Sequence, residues 1–151
     1  MAELKAMGEA CGFELCRTFI ASGNLLFASA VDEADVQQCI SAQVDKYFGK
    51  TVPVHVRSAA EMAEATARNP FKEAPPNRVV ALFVGEEPTQ TMIDAATGRN
   101  GERLALGPRL IYIAYGDGMA DSKLKLPAMR NGTARNMNSV AKIAELLAGM
   151  E

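Results

Sequence analysis

The chain has 151 residues, a length that suits one compact domain or two very small subdomains with a shared core. Hydrophobic residues make up 48% and charged residues 23%, a globular balance that excludes disorder as the main state. The net charge of −2 argues against a dedicated nucleic-acid-binding domain, which would normally be basic.

The first part of the sequence predicts alternating helices and strands. Asp32 is a typical N-cap, and Ser22-Gly23-Asn24 has the composition of a tight hairpin turn, since Gly and Asn tolerate positive φ. Apolar residues at helical spacing predict helices, and alternating apolar residues predict strands. The predicted elements, in chain order, are a helix over 2–11, strands over 14–21 and 24–28, a helix over 33–48 and a strand over 52–58.

A proline-containing loop separates the two halves of the chain. Before it, Ser58 and Glu61 form a capping box that predicts a short helix over 59–68. After this helix, the Pro75-Pro76 pair stiffens the loop. The predicted organisation is a first half over 1–70, a linker over 71–78 and a second half over 79–151 that includes the C-terminal helix. The predicted elements of the second half are a strand over 78–85, helix 88–96, strands 103–106 and 109–115, a short helix 121–129 and a last helix 137–149.

This order of elements predicts an α+β fold. The first half reads α-β-β-α-β and the second reads β-α-β-β-α-α, and both approximate the β-α-β-β-α-β plait of ferredoxin-like folds. The first half matches the plait with its N-terminal strand absent. We therefore expect two ferredoxin-like (α/β-plait) halves, of which the first is incomplete.

The three cysteines, Cys11, Cys16 and Cys39, are interpreted as buried small apolar residues in a reducing compartment. They form no CxxC pair, and the sequence contains a single histidine, His55, on an alternating strand pattern. No metal site and no cofactor are therefore expected.

No stretch reaches the roughly 20 apolar residues of a membrane span, and the first residues lack the apolar core of a signal peptide. The expected location is the cytoplasm.

Three motifs together carry a family resemblance: "MAELKAMGEACGFELCRTFIASGNLLF" at the front, "YGDGMADSKL" in the middle and "GTARNMNSVAKI" near the end. They resemble a bacterial family of uncharacterised proteins, domain of unknown function 1697, over essentially the whole chain. The resemblance implies two ferredoxin-like halves and a cytoplasmic location, and it implies no established activity. Family members usually begin earlier, with a hydrophobic strand and a glycine-rich turn. We expect either a start upstream of Met1 or a neighbouring strand that fills the gap.

The segment "GTARNMNS", residues 132–139, is the main candidate site. It allows two interpretations. In the first, Asn136 or Asn138 is an ordinary N-cap of the last helix. In the second, Arg135, Thr133 and these two asparagines bind an anion, because a helix N-terminus and a guanidinium fork both attract phosphate or carboxylate.

A second polar segment, "DGMADSKL", could cooperate with the first through Ser122 and Lys123, although it does not match a phosphate-binding loop of the GxxxxGK[ST] type. Its alternative interpretation is a surface loop with a solvated lysine. Ser22 and Asn24 are weaker candidates, which hairpin geometry explains by itself. Asp117 and Asp121 could share a helix face, but they lack a third metal ligand.

These residues lead to a ranked set of functional hypotheses. The first is a binding module for a phosphorylated or otherwise anionic small molecule. The second is an enzyme of the phosphate-ester or acyl transferase or hydrolase type that uses the same pocket, with Asp117 or Asp121 essential. The third is an interaction protein, for example a homodimer that pairs through an open sheet edge. A nucleic-acid partner is disfavoured by the charge and by the aromatic content of 6%, and no membrane partner is expected.

Overall fold

The computed structural model describes residues 2–19, 24–29, 31–50, 52–115 and 122–150. The chain divides into two compact units. The first unit comprises Met1–Ala59 and Glu145–Glu151, and the second unit comprises Ala60–Ala144. The α+β fold class is confirmed, since each unit contains an antiparallel sheet together with helices.

The first unit combines a β-hairpin with two helices. Its elements are α1 (Ala2–Ala10), β1 (Glu14–Phe19), β2 (Asn24–Ala28) and α2 (Glu33–Phe48). β1 and β2 pair antiparallel, with Phe19 opposite Asn24 and Arg17 opposite Leu26. The two predicted helices and the predicted hairpin are thus confirmed, with ends that differ by one or two residues.

The core of the first unit lies between the hairpin and the helices. α2 contributes Val36, Ile40 and Val44, which recur every four residues and therefore share one face of the helix. α1 contributes Met7, and Phe13 stacks on Phe27 with ring centroids 4.2 Å apart. The helical spacing of apolar residues in the sequence correctly predicted the buried face of α2, because burial along a helix follows its 3.6-residue period.

The predicted strand over 52–58 is wrong in one respect. Val52, Val54 and Val56 do pack against the apolar core, as their alternation predicts, but the segment pairs with no strand among the described residues. Side chains of α2 contact its backbone instead. Gln37 Nε2 donates to the Val54 carbonyl at 3.0 Å, and the Val52 amide donates to an Asp45 carboxylate oxygen at 3.4 Å. Alternation reports burial of one face, whereas a strand also requires a neighbouring strand.

The second unit is built on a four-stranded antiparallel sheet. Its elements are α3 (Ala59–Ala67), β3 (Val79–Phe83), α4 (Gln90–Asp94), β4 (Arg103–Gly107), β5 (Leu110–Ala114), β6 (Thr133–Asn136) and α5 (Met137–Ala148). The first residue of α3 and the last turn of α5 are counted in the first unit. Two short 3-10 helices, Pro76–Arg78 and Pro127–Arg130, connect them. The strand order β4-β5-β3-β6 is that of a ferredoxin-like sheet.

The two faces of this sheet carry different partners. Val80 and Leu82 of β3 lie on one face, where they pack in an apolar cluster with Leu124 and Leu126 from the segment before β6. We call this the cluster face. The alternate residues of each strand point to the other face. There Tyr112 of β5 donates its hydroxyl to the Ala65 carbonyl of α3 at 2.6 Å, so we call it the α3 face.

Two predictions about the second half need correction. Residues Thr133–Asn136, for which the sequence predicted neither a helix nor a strand, form β6 and pair with β3. The predicted helix over 121–129 is replaced in its described part by the 3-10 helix Pro127–Arg130. The observed order after α3 is therefore β-α-β-β-β-α. A polar segment of four residues is too short to show an alternating apolar pattern. Its strand conformation is evident only from its pairing with β3.

The division between the units also differs from the predicted linker. α3 belongs to the second unit, whereas the sequence placed residues up to 70 in the first half. The hydrogen bond from Tyr112 to Ala65 and the burial of Met62 and Ala65 connect α3 to the sheet. A proline-rich loop is a local signal of irregular backbone, and it does not show on which core the preceding helix packs.

Candidate functional site

The candidate site lies at the corner where β6 joins α5. Asn136 is the last residue of β6, and its side-chain oxygen accepts a hydrogen bond from the Ser139 amide at 3.0 Å. This bond to the third residue of α5 is the geometry of an N-cap. The capping role considered for Asn136 is therefore confirmed. Asn138 lies exposed in the first turn of α5.

Arg135 is partly buried, and neutral oxygens hold one end of its guanidinium. Nη1 donates to Thr133 Oγ1 at 2.8 Å and to the Ala134 carbonyl at 2.8 Å. Burial lowers the pKa of Arg135 below its ordinary value, because a guanidinium that has lost water is less stable in its charged form. The side chain still carries its charge at neutral pH.

Strand geometry decides which of these groups share a surface. Thr133 and Arg135 are two residues apart on β6, and they stand opposite Phe83 and Ala81 of β3, so both side chains belong to the α3 face. Asn136 stands opposite Val80 and points to the other face, where it caps α5. The corner thus presents a Thr133–Arg135 pair and a capped helix start, not one continuous cluster.

Ser122 and Lys123 lie in a different place. The Ser122 hydroxyl donates to the Glu102 carboxylate at 2.8 Å and accepts the Leu124 amide at 3.3 Å. The following residues, Leu124 and Leu126, pack on the cluster face. Lys123 is exposed, and its carbonyl packs so closely on Gly98 that a side chain there would collide with it.

The structure does not bring the two candidate segments together. Glu102, the partner of Ser122, adjoins β4, and Arg135 lies on β6, so they occupy opposite edges of the sheet. Three strand spacings separate these edges, roughly 14 Å at about 4.8 Å each. The segment of Ser122 also covers the cluster face, whereas Arg135 belongs to the α3 face. The two segments are therefore separate features of the second unit.

Glu102 is a residue that sequence reasoning missed. It is a buried carboxylate, with 4% of its surface exposed. It accepts hydrogen bonds from the Asn100 amide and from Ser122, and these bonds lower its pKa. A glutamate in the "GRNGE" turn gives no signal of burial. Its negative charge beside Ser122 makes that serine an unfavourable ligand for an anion.

The interpretation of the cysteines also requires correction. Cys11 and Cys39 form a disulfide with their Cα atoms 6.1 Å apart, and Cys16 alone of the three is a free thiol. The interpretation of all three as free cysteines is therefore wrong for this pair. Sequence spacing could not reveal it, since the two sulfurs meet only when α1 packs against α2.

The remaining candidate site residues from the sequence do not add to the site. Ser22, Asp117 and Asp121 lie outside the described residues. The Asn24 side chain donates to the Phe19 carbonyl at 3.0 Å, a contact that stabilises the hairpin.

Within the described ranges, no three His, Cys, Asp or Glu side chains are arranged to hold a metal ion. Nor does any described helix have the length and apolar character that a membrane crossing requires.

The chain is similar to a solved bacterial structure and matches a family model. Among solved structures, the chain is similar to the conserved bacterial protein SP0830 from Streptococcus pneumoniae, with a TM-score of 0.79 and 22% sequence identity. The alignment covers 98% of this chain and 88% of that one, and likeness at this identity shows a shared fold. No curated protein matches the chain. A family model described as "Protein of unknown function (DUF1697)" matches residues 1–112, and because this is well over half of the sequence, the chain belongs to that family.

Proposed function

We propose that the chain is a binding module for an anionic small molecule, a phosphate ester or a carboxylate, that contacts Arg135. The observation that carries this proposal is the partly buried guanidinium of Arg135, which neutral oxygens of Thr133 and Ala134 fix in place. A cation that burial has partly dehydrated gains more from an anion than a fully solvated one does. A guanidinium also presents several parallel N–H groups, which match the oxygens of phosphate and carboxylate.

Two neighbours support the same chemistry. Thr133 Oγ1 accepts a hydrogen bond from Arg135, so its own proton remains available as a donor toward a ligand. Met137–Ala148 forms a helix whose N-terminus carries roughly half a positive charge, and the exposed Asn138 lies in its first turn. The proposed contact set is therefore Arg135 and Thr133. Asn136 holds the start of the helix, and that helix start adds positive potential at the same corner.

Ser122 and Lys123 are left out of this contact set. They lie near the opposite edge of the sheet, and the Glu102 carboxylate next to Ser122 would repel an anion. An enzyme of the phosphate-ester or acyl transferase type remains the alternative use of the corner. Turnover of a phosphate ester that requires Arg135 would favour that alternative over simple binding.

The test is a thermal-shift titration with inorganic phosphate, sulfate, nucleotides and sugar phosphates. An anion at a hundredfold excess over its dissociation constant stabilises by about 2.7 kcal/mol, which raises Tm by several degrees in a chain of this size. We expect this shift in the wild type and in the matched control Arg130→Ala, an exposed arginine just before β6. We expect Arg135→Ala to abolish the shift and Arg135→Lys to reduce it. Equal shifts in Arg135→Ala and wild type would refute the proposal.

A second candidate function is self-association through β2. β2 pairs with β1 and with no other strand among the described residues, and the extended segment 52–58 shares its apolar cluster without pairing with it. In the second unit, by contrast, β3 lies between β5 and β6. A second copy presents the same edge, so two β2 strands can pair antiparallel about a twofold axis. Sedimentation equilibrium over a range of concentrations would show a dimer, and a constant monomer mass would exclude it.

A further inference from the structure

We propose that Cys11 and Cys39 form a reversible thiol–disulfide couple that locks α1 to α2 in the first unit. The oxidant that it would use is a small-molecule disulfide, such as oxidised glutathione. This inference is independent of the anion site, because Arg135, Thr133 and Ala134 belong to the second unit.

The backbone places the two cysteines at bonding distance. Cys11 directly follows α1, and Cys39 lies in the second turn of α2. Their Cα atoms are 6.1 Å apart, inside the usual range of about 4.4 to 6.8 Å for a disulfide. Neither helix has to move for the bond to form or break, so the same packing accommodates both redox states.

Both cysteines are partly exposed to solvent, and so is Cys16. Cys16 differs from them in its chemical surroundings. Its thiol contacts the Phe13 carbonyl at 3.5 Å, and burial, together with the negative charge of Glu9, raises its pKa. Cys16 therefore forms the reactive thiolate less readily than an ordinary cysteine does.

The cross-link acts on a weakly anchored helix. Met7 is the large side chain of α1 that is buried, and Leu4 packs on the core only in part. The bond closes a span of 28 residues between the end of α1 and the second turn of α2. Closing such a span lowers the entropy of the unfolded chain, so the oxidised first unit should be markedly more stable than the reduced one.

The chemistry balances with one oxidant molecule for each bond. The thiolate of one cysteine attacks the small disulfide and releases one small thiol, leaving a mixed disulfide on the protein. The second cysteine then attacks the protein sulfur of that mixed disulfide and releases the other small thiol. Two protein thiols are oxidised, one small disulfide is reduced, and both hydrogens leave with the small thiols.

The test equilibrates the native protein with defined ratios of reduced to oxidised glutathione. Free thiols are then alkylated and mapped by peptide mass spectrometry. We expect Cys11 and Cys39 to lose their label together as the ratio falls, while Cys16 stays labelled. Oxidation should raise Tm by roughly 10 °C, and dithiothreitol should reverse the change. Cys16→Ser should keep this response, and Cys11→Ser and Cys39→Ala should each lose it.

Three results would overturn the proposal. One is alkylation of all three cysteines at every glutathione ratio, since it means that the bond does not form. Another is a bond that no ratio of reduced glutathione opens, since it means that the link is permanent. The last is a bond that includes Cys16. Because the mapping uses the wild-type protein, these outcomes stay decisive even if a cysteine variant folds poorly.

Discussion

The two units of this chain reach stability by different means. In the second unit, β3 and β5 are buried along their entire lengths, so the centre of the sheet is covered on both faces. In the first unit, β1 is half exposed and β2 has one buried residue, Leu26. All of the large side chains that the structure shows as fully buried lie in the second unit: Val79, Leu82, Leu110, Ile111, Tyr112, Ile113 and Val140.

The difference shows how a sheet with a central strand is stabilised compared with a two-stranded sheet. A strand flanked on both sides buries its two faces and satisfies its backbone groups with neighbouring strands. The first unit has no such strand among its described residues. Side chains of α2 hydrogen-bond to segment 52–58 in its place, and a disulfide ties α1 to α2. Matched substitutions in the two units can measure this contrast.

The largest expected difference concerns the cores. Ile113 on β5 is fully buried, and Ile40 on α2 retains 6% exposure. We expect Ile113→Ala to cost about 4 kcal/mol of unfolding free energy and Ile40→Ala about 2 kcal/mol. The helical site loses less because its surroundings can relax and alanine favours a helix. Urea-unfolding curves of the two variants measure both values, and equal costs would contradict the contrast between the units.

A smaller difference is expected for two tyrosine hydroxyls. Tyr112 is buried and donates to the Ala65 carbonyl, whereas Tyr47 on α2 is 56% exposed. Tyr112→Phe leaves a buried carbonyl without its donor, so we expect a loss of about 1 to 2 kcal/mol. Tyr47→Phe should change stability by less than about 0.5 kcal/mol. Thermal unfolding of both variants at neutral pH separates the two cases.

The same tyrosine predicts a pH dependence. Burial raises the pKa of Tyr112 from 10 to about 12 in the folded protein. Above pH 10 the unfolded chain loses this proton while the folded chain keeps it, so the folded state loses stability as the pH rises from 10 to 12. Unfolding curves across this interval should show a steeper loss in wild type than in Tyr112→Phe. Parallel curves would show that Tyr112 does not titrate in this way.

The smallest expected difference concerns two helix starts. Asn136 caps α5 through a bond to the Ser139 amide, whereas Asp32 stands at the start of α2 without a side-chain capping bond. Asn136→Ala should therefore cost about 1 kcal/mol. Asp32→Ala should cost about 0.3 kcal/mol, which reflects only its charge near the helix dipole. Differential scanning calorimetry resolves both, and a larger effect at Asp32 would reverse the assignment.

Much of the fold was predictable because it depends on local pattern. The stripe of Val36, Ile40 and Val44 predicted α2, and the apolar runs predicted β3 and β5. The candidate site was predictable only in its composition. The sequence identified Arg135 and Thr133 as polar groups near a helix start, but it predicted neither a helix nor a strand for them. It had no means of assigning them to one face of an edge strand.

By itself, the sequence determined the family, the α+β class, the helices and the apolar strands, since each follows from periodicity or from motifs read along the chain. Tertiary structure alone decided three other features: that "TARN" is a strand, that Cys11 meets Cys39, and that Ser122 and Arg135 lie at opposite edges of a sheet. The physical reason is common to all three. Each depends on which distant segment becomes a neighbour, and hydrogen bonding between strands, like sulfur–sulfur bonding, is set by that neighbour rather than by local sequence.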